Sequence, residues 1–284
     1  MLMVGPHLKR AWQCLVVTTI AETMQAADAQ AVRAATSAAA TGFGYKTSWL
    51  AIKSTEPKAV IQALGLQGAQ PSSWEVGIST AYGQTGQSEP EPLAFVSPPV
   101  NGWIFVVSPH LPYPDHRKGA SHDAIGARFD SMFRALATKF EQVQFFGSYR
   151  VVGYDAWARA RSGKVERVFC FIDGEVYAND GPQSAEERLL RLPDVSGLSP
   201  EAATKAIFLN AERREAEEAR LIATGLSRSE ARRKLLSEQR DPIPSEEDTM
   251  AVAGSWSINP IHLDALKLEP RTGFLAVLPR ALRR

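Results

Sequence analysis

Cysteine is scarce in this chain. Its 284 residues hold two, Cys14 and Cys170, with no CxxC pair and no zinc-ligand spacing between them. That excludes a disulfide-stapled secreted fold and reads as two reduced thiols in a cytoplasmic protein. An excess of one charge is also missing. Lys plus Arg number 32 against 31 for Asp plus Glu, so no global field favours nucleic acid or an acidic membrane, and neither is expected as a direct partner. Long hydrophobic runs are lacking too. The longest early one, "HLKRAWQCLVVTTIA", starts basic as an export signal does, but Gln13, Thr18 and Thr19 interrupt it and it is far too short to span a bilayer. Leu8, Trp12, Leu15, Val16, Ile20 and Met24 instead fall at the spacing of an amphipathic helix.

Motifs for catalysis are equally sparse. The stretch "ATGFGYKTSWLAIKS" has two glycines, a lysine and a Thr-Ser pair. A phosphate-binding loop, however, must run from a strand into a helix and place Lys directly after its last Gly. Here Tyr45 separates Gly44 from Lys46, and the order is helix then strand, so a helix stop is the expected role. No G-x-S-x-G elbow occurs, and Cys170 lies in a strand pattern without a basic neighbour, as a core thiol would. No cofactor is implied, and the chain is expected not to be an enzyme. The alternative is a metal-dependent hydrolase using His110, His116 and His122 of "SPHLPYPDHRKGASHDAIG", with Asp115 and Asp123 beside them.

The residues that are present specify a globular protein. Hydrophobic residues make up 44%, enough at this length to bury a large core. Residues 7–39 read as one alanine-rich helix. "SWLAIK" is a short strand, followed by a helix with Thr55 as N-cap, Pro57 in its first turn and Gly65 as its stop. "SWEVGISTAYG" is expected as a strand and "TGQSEPEP" as a surface loop. "GWIFVVSP" follows the Asn101-Gly102 turn signal as another strand, and "ARFDSMFRALATKF" is an amphipathic helix leading into the strand "VQFFGS". A tryptophan-led strand followed by a helix therefore occurs twice, at Trp49 and Trp103.

Residues 150–181 read as a three-stranded antiparallel meander, because Ser162-Gly163 and Asp173-Gly174 are two-residue hairpin turns. Pairing across the first turn sets Arg161 opposite Lys164, Arg159 opposite Glu166 and Trp157 opposite Val168. One face then carries Tyr154, Ala156, Ala158, Phe169, Phe171 and Val176 into the core. The other leaves Arg159, Arg161, Lys164 and Glu166 in water.

The last hundred residues are expected to be helical. Ser199-Pro200 opens a helix carrying Arg213–Glu217 and Arg214–Glu218 at i,i+4, Ser227 with Glu230 and Ser245 with Asp248 form capping boxes, and Asn259-Pro260 opens a last short helix. The fold class is α+β: a central antiparallel meander with an N-terminal helix and a helical C-terminal region. Residues 1–198 form the α+β core with that helix, and 199–284 a helical subdomain packed on it.

Binding residues concentrate at turns, and one turn region is both acidic and aromatic. Asp173, Glu175, Asp180, Glu186 and Glu187 cluster around the second hairpin and the loop after it, with Trp157 and Tyr177 nearby. These seven are the candidate partner-binding residues; the plain alternative is a solvated acidic loop.

"WLAIKSTEPKAVIQALGL", "YDAWARARSGKVERVFCFIDGEVYANDG" and "EEDTMAVAGSWSINP" together resemble a loosely related set of bacterial proteins encoded beside secreted toxins, including effectors of the type VI secretion system. Many of these act as immunity proteins. The resemblance covers about residues 48–66, 143–190 and 245–262 and rests on strand tryptophans, hairpin turns and helix caps, so it assigns no binding residue. It implies that the chain binds and neutralises a cognate toxin protein, a nuclease being one candidate, by blocking its active site or its access to substrate. An adaptor protein of a secretion apparatus is the other non-catalytic reading.

Overall fold

The computed structural model describes residues 39–83, 91–117, 120–238 and 240–284, with residues 120–123 as backbone alone. The expected N-terminal helix, Cys14, the loop 84–90 and the side chains of His122 and Asp123 lie outside the described residues. The fold is α+β. In chain order the elements are β1 (Thr47–Lys53), α1 (Pro57–Leu64), β2 (Gln67–Ser72), α2 (Trp74–Gly83), β3 (Leu93–Val96), β4 (Trp103–Ser108), α3 (Ala120–Lys139) and β5 (Gln142–Tyr149). A 3-10 turn at Arg150–Val152 leads to β6 (Tyr154–Arg161), β7 (Lys164–Ile172), β8 (Glu175–Asp180), α4 (Ala185–Leu189), α5 (Pro200–Ala223), α6 (Arg228–Glu238), α7 (Glu246–Trp256) and β9 (Gly273–Val277). The strands form one nine-stranded sheet in the order β2-β9-β3-β4-β1-β5-β6-β7-β8, and every pairing in it is antiparallel.

Helices cover both faces of this sheet, and that explains the unbroken apolar runs of β1 and β4. On β1, Leu50 and Ile52 point towards α1 and α3, joining Val60, Leu64, Phe129 and Phe133. Trp49 and Ala51 point the other way, joining Trp74 and Ile78 of α2, Ile207 of α5 and Met250 and Trp256 of α7. A strand buried on both sides needs apolar residues at every position, because neither face meets water.

The expected strand over "SWEVGISTAYG" is the helix α2. Its buried residues Trp74, Gly77, Ile78 and Ala81 follow the helical period, and the Ser73 hydroxyl accepts a hydrogen bond from the Val76 N–H at 3.3 Å, as a cap does. The cap residue of α1 is Glu56, not Thr55, and it makes no side-chain cap bond; the Ser54 hydroxyl accepts from the Glu56 N–H instead. Pro57 and the left-handed Gly65 stand where expected.

All three dipeptide turns form. Asn101-Gly102, Ser162-Gly163 and Asp173-Gly174 have both φ angles positive (49° and 82°, 47° and 81°, 50° and 82°), the conformation whose twist suits a two-residue hairpin. The register, however, differs from expectation beyond the first turn. Arg161 faces Lys164, but Arg159 faces Arg167 and Trp157 faces Phe169. Glu166 is an extra residue in β7, a bulge that shifts every later pair by one. The expected core face therefore splits. Tyr154, Ala156 and Ala158 pack towards α3, while Phe169, Phe171 and Val176 pack on the opposite side with Trp157. Arg159 is buried rather than wet.

The C-terminal hundred residues are not all helical. β9 crosses back and inserts between β2 and β3. Both capping boxes form, and Ser199 caps α5. On α5, Glu217 pairs with Arg220 rather than Arg213, and Glu218 lies 3.9 Å from Arg228 and Arg232 of α6.

Candidate partner-binding edge

β8 ends the sheet, and it carries or flanks the acidic residues singled out in the sequence. Two elements cover its outer side. The His116 N–H donates to the Tyr177 carbonyl at 2.8 Å, and the Val176 N–H donates to the Thr204 hydroxyl of α5 at 2.8 Å. The strand is therefore held on both sides, and side chains at its tip project from a fixed backbone.

On the α3 side, His116 stands between two carboxylates. Its Nδ1 lies 2.5 Å from Asp180 Oδ2 and its Nε2 lies 3.1 Å from Asp130 Oδ1 of α3. With a carboxylate at each nitrogen the imidazolium is favoured. Asp130 first and Asp180 second raise its pKa to about 9 against the effect of burial. The same contact with His116 holds the Asp180 carboxyl below its ordinary value. Arg117 is held next door: it reaches Asp115 at 3.1 Å and Glu175 at 2.9 Å and lies over the Tyr177 ring, 3.0 Å from its centre. Gly126 of α3 permits this packing, since a Cβ there would stand 1.9 Å from the Asp115 carbonyl oxygen. Beside His116 opens a groove of about 710 Å³, lined by Asp130, Phe133, Arg134, Lys164 and Asp180.

The opposite face of the same strands holds a second set of charges, out of water. Arg167 and Glu187 form an ion pair of 3.1 Å at side-chain exposures of 3% and 2%. Glu187 also accepts from Trp157 Nε1 at 2.9 Å and closes the capping box that starts α4 with Ser184. Arg167 donates further to Asn179 at 2.9 Å. Arg159 reaches Glu166 at 3.0 Å and Glu186 at 3.1 Å and lies over the Trp256 ring. Burial acts to raise the Glu186 carboxyl, but its own backbone amide and Arg159 outweigh that and leave it lowered.

The seven candidate residues thus divide. Asp173, Glu175 and Asp180 are exposed, and Tyr177 is half-buried beneath Arg117. Glu186 is half-buried with Arg159, while Trp157 and Glu187 are inside the protein and offer a partner no surface. The cations that answer these carboxylates, His116, Arg117, Arg159 and Arg167, carry no joint signal in the sequence, because they come from a loop and from two strands. Of the histidines in the alternative reading, His122 has its side chain outside the described residues, and the His116 nitrogens point in opposite directions to separate carboxylates. Among the described residues no group of three or more His, Cys, Asp or Glu is placed to hold a metal ion, and no helix is long and apolar enough to cross a membrane.

The class this geometry defines is an antiparallel α+β sheet with helices on both faces and an acidic edge. Compared with protein-family models, curated proteins and solved structures, the chain matches none.

Proposed function

We propose that this chain is an immunity protein: it binds a cognate secreted bacterial toxin and blocks its active site or its access to substrate, with no catalysis of its own. The cytoplasm is the compartment this reading implies. The observation that carries it is the presentation of Asp173, Glu175 and Asp180, exposed on the edge strand β8 and the turn before it, with the strand braced from both sides. Carboxylates on a firm support suit the basic cleft of a nuclease, whose own attraction to phosphate supplies much of its affinity, and they speed encounter. Asp173 has no ion-pair partner among the described residues, so its charge is available to a partner without first breaking a contact. The test is the affinity of the purified chain for the toxin encoded beside it, at low and moderate salt, compared with the Asp173→Lys, Glu175→Lys double variant. Weaker binding that converges with the unmodified chain as salt rises supports the reading. No binding by the unmodified chain refutes it.

A further inference from the structure

At the end of the sheet that carries Asp173, large apolar side chains face water. Val151 is 71% exposed, Val152 44%, Tyr45 41% and Phe208 39%. They come from separate parts of the chain, and a series of contacts joins them into one rim. The Asp173 N–H donates to the Val152 carbonyl at 3.1 Å. Gly174 lies against the Phe208 ring, which a Cβ on that glycine would meet at 3.6 Å. Arg150, next to Val151, reaches Glu246 of α7 at 3.7 Å. Thr47 pairs with Ser148 between β1 and β5, which sets Tyr45, two residues before Thr47, at the same end of the sheet as Arg150.

Charge at this rim is unbalanced. Arg150 is engaged by Glu246 and Arg117 by Glu175. Among the described residues, Asp173, Glu247 and Glu212, the last one turn after Phe208 on α5, have no ion-pair partner, against the cations Lys46 and Lys205, the latter one turn before Phe208. Behind the rim stand two buried carboxylates, Asp155 and Asp248, of which Asp248 is paired with Arg240. Burial foremost raises the Asp155 carboxyl against its bond from Thr249, and Asp248, Glu246 and Glu247 add to the rise. Exposed apolar side chains at the centre with uncommitted carboxylates around them are the pattern of a protein-binding surface.

We infer that the rim of Tyr45, Val151, Val152 and Phe208, with Asp173 and Glu247 at its margin, is the docking surface for a basic protein. This deepens the immunity reading and rests on it: the occupant is the toxin, bound through an apolar contact flanked by its own Lys or Arg. The rim is continuous with the acidic edge through Asp173, so one partner covers both.

The experiment uses the full chain and the toxin encoded beside it. Val151→Ser with Phe208→Ser is expected to weaken binding on the order of tenfold or more, as loss of a central apolar anchor does. Val76→Ser with Leu236→Ser, which removes apolar groups that are 54% and 52% exposed elsewhere, is expected to leave affinity unchanged. Glu247→Lys is expected to slow association at low salt. A photo-crosslinking residue at position 151 reports the occupant directly, and attachment to the toxin supports the proposal. Attachment to residues 1–38 of the same chain, or to a second copy, overturns it, as does full affinity in the Val151→Ser, Phe208→Ser variant. Failure of the unmodified chain to bind the toxin refutes the immunity reading itself, a different result from binding that survives loss of the rim.

Discussion

The two faces of the β6–β8 meander carry similar residues and use them differently. On the α3 side, His116, Arg117, Asp180 and Glu175 form ion pairs at the margin of solvent, with side-chain exposures of 26% for His116, 59% for Asp180 and 61% for Glu175. On the other side, Arg167 and Glu187 pair almost without exposure. An exposed pair exchanges one hydrated state for another and contributes little. A buried pair is costly to assemble, and once assembled neither half can be removed without stranding a charge. The first set leaves the acidic tip open to a partner; the second orders the sheet, α4 and Trp157 around one carboxylate.

The buried side should show the largest effect when broken. Glu187→Ala leaves Arg167 charged and uncompensated, removes the acceptor of the Ser184 N–H in the capping box of α4 and frees the Trp157 N–H. A loss of about 3–5 kcal/mol is expected, read by urea unfolding. Arg167→Met combined with Glu187→Leu should recover much of it, because two well-packed apolar groups replace the pair without stranding either charge.

Asp155 sharpens the comparison from the same buried face. Its hydrogen bond is to the Thr249 hydroxyl at 3.0 Å, and burial foremost raises its pKa to about 7. In the unfolded chain it titrates near 3.9. Its contribution to stability is therefore fully present below about pH 3.9 and is lost as pH rises through 7. An asparagine side chain at this position does not titrate and still accepts from Thr249. Asp155→Asn should stabilise the protein by roughly 2–3 kcal/mol at pH 8, and this advantage should vanish towards pH 4 in paired urea titrations. An equal gain at both pH values would mean that folding does not raise the Asp155 pKa.

On the solvent side the sign and the window are different. With His116 raised to about 9, its pairing stabilises fully below about pH 6.5, the unfolded value, and the benefit is lost as pH rises through 9. Partial exposure screens the pair, so His116→Gln should cost about 1–2 kcal/mol at pH 6 and little at pH 10. Thermal melts across that range, with an NMR titration of the imidazole, check both claims. The smallest effect on stability belongs to the tip. Asp173→Lys should change unfolding free energy by no more than about 0.5 kcal/mol while weakening toxin binding. A large stability loss there would show that the tip is structural.

The same contrast sets how far the sequence could be read. The acidic tip was legible, because Asp173-Gly174 is a turn by local chemistry and the carboxylates beside a turn tip are exposed. Trp157 and Glu187 were misplaced for a tertiary reason. α4, α5 and α7 cover the face that strand alternation assigned to water, and nothing local in "DAWARARSG" announces those helices. The Glu166 bulge belongs with these cases. Its carboxylate meets Arg159 on the neighbouring strand and Glu186 of α4 meets the same arginine, an arrangement that exists only after α4 has docked.

By itself the sequence determined the elements whose causes lie within a few residues: the three hairpin turns with positive φ, the Ser capping boxes, the left-handed Gly65 stop and the amphipathic helix α3. It also determined the α+β class, since these signals alternate along the chain. Tertiary structure alone decided which faces are dry, where β7 bulges, that residues 74–83 form a helix rather than a strand, and that β9 enters the sheet between β2 and β3. Those outcomes depend on contacts between residues tens to hundreds of positions apart. Burial is a property of the assembled layers, and a strand or helix carries only its own half of that information.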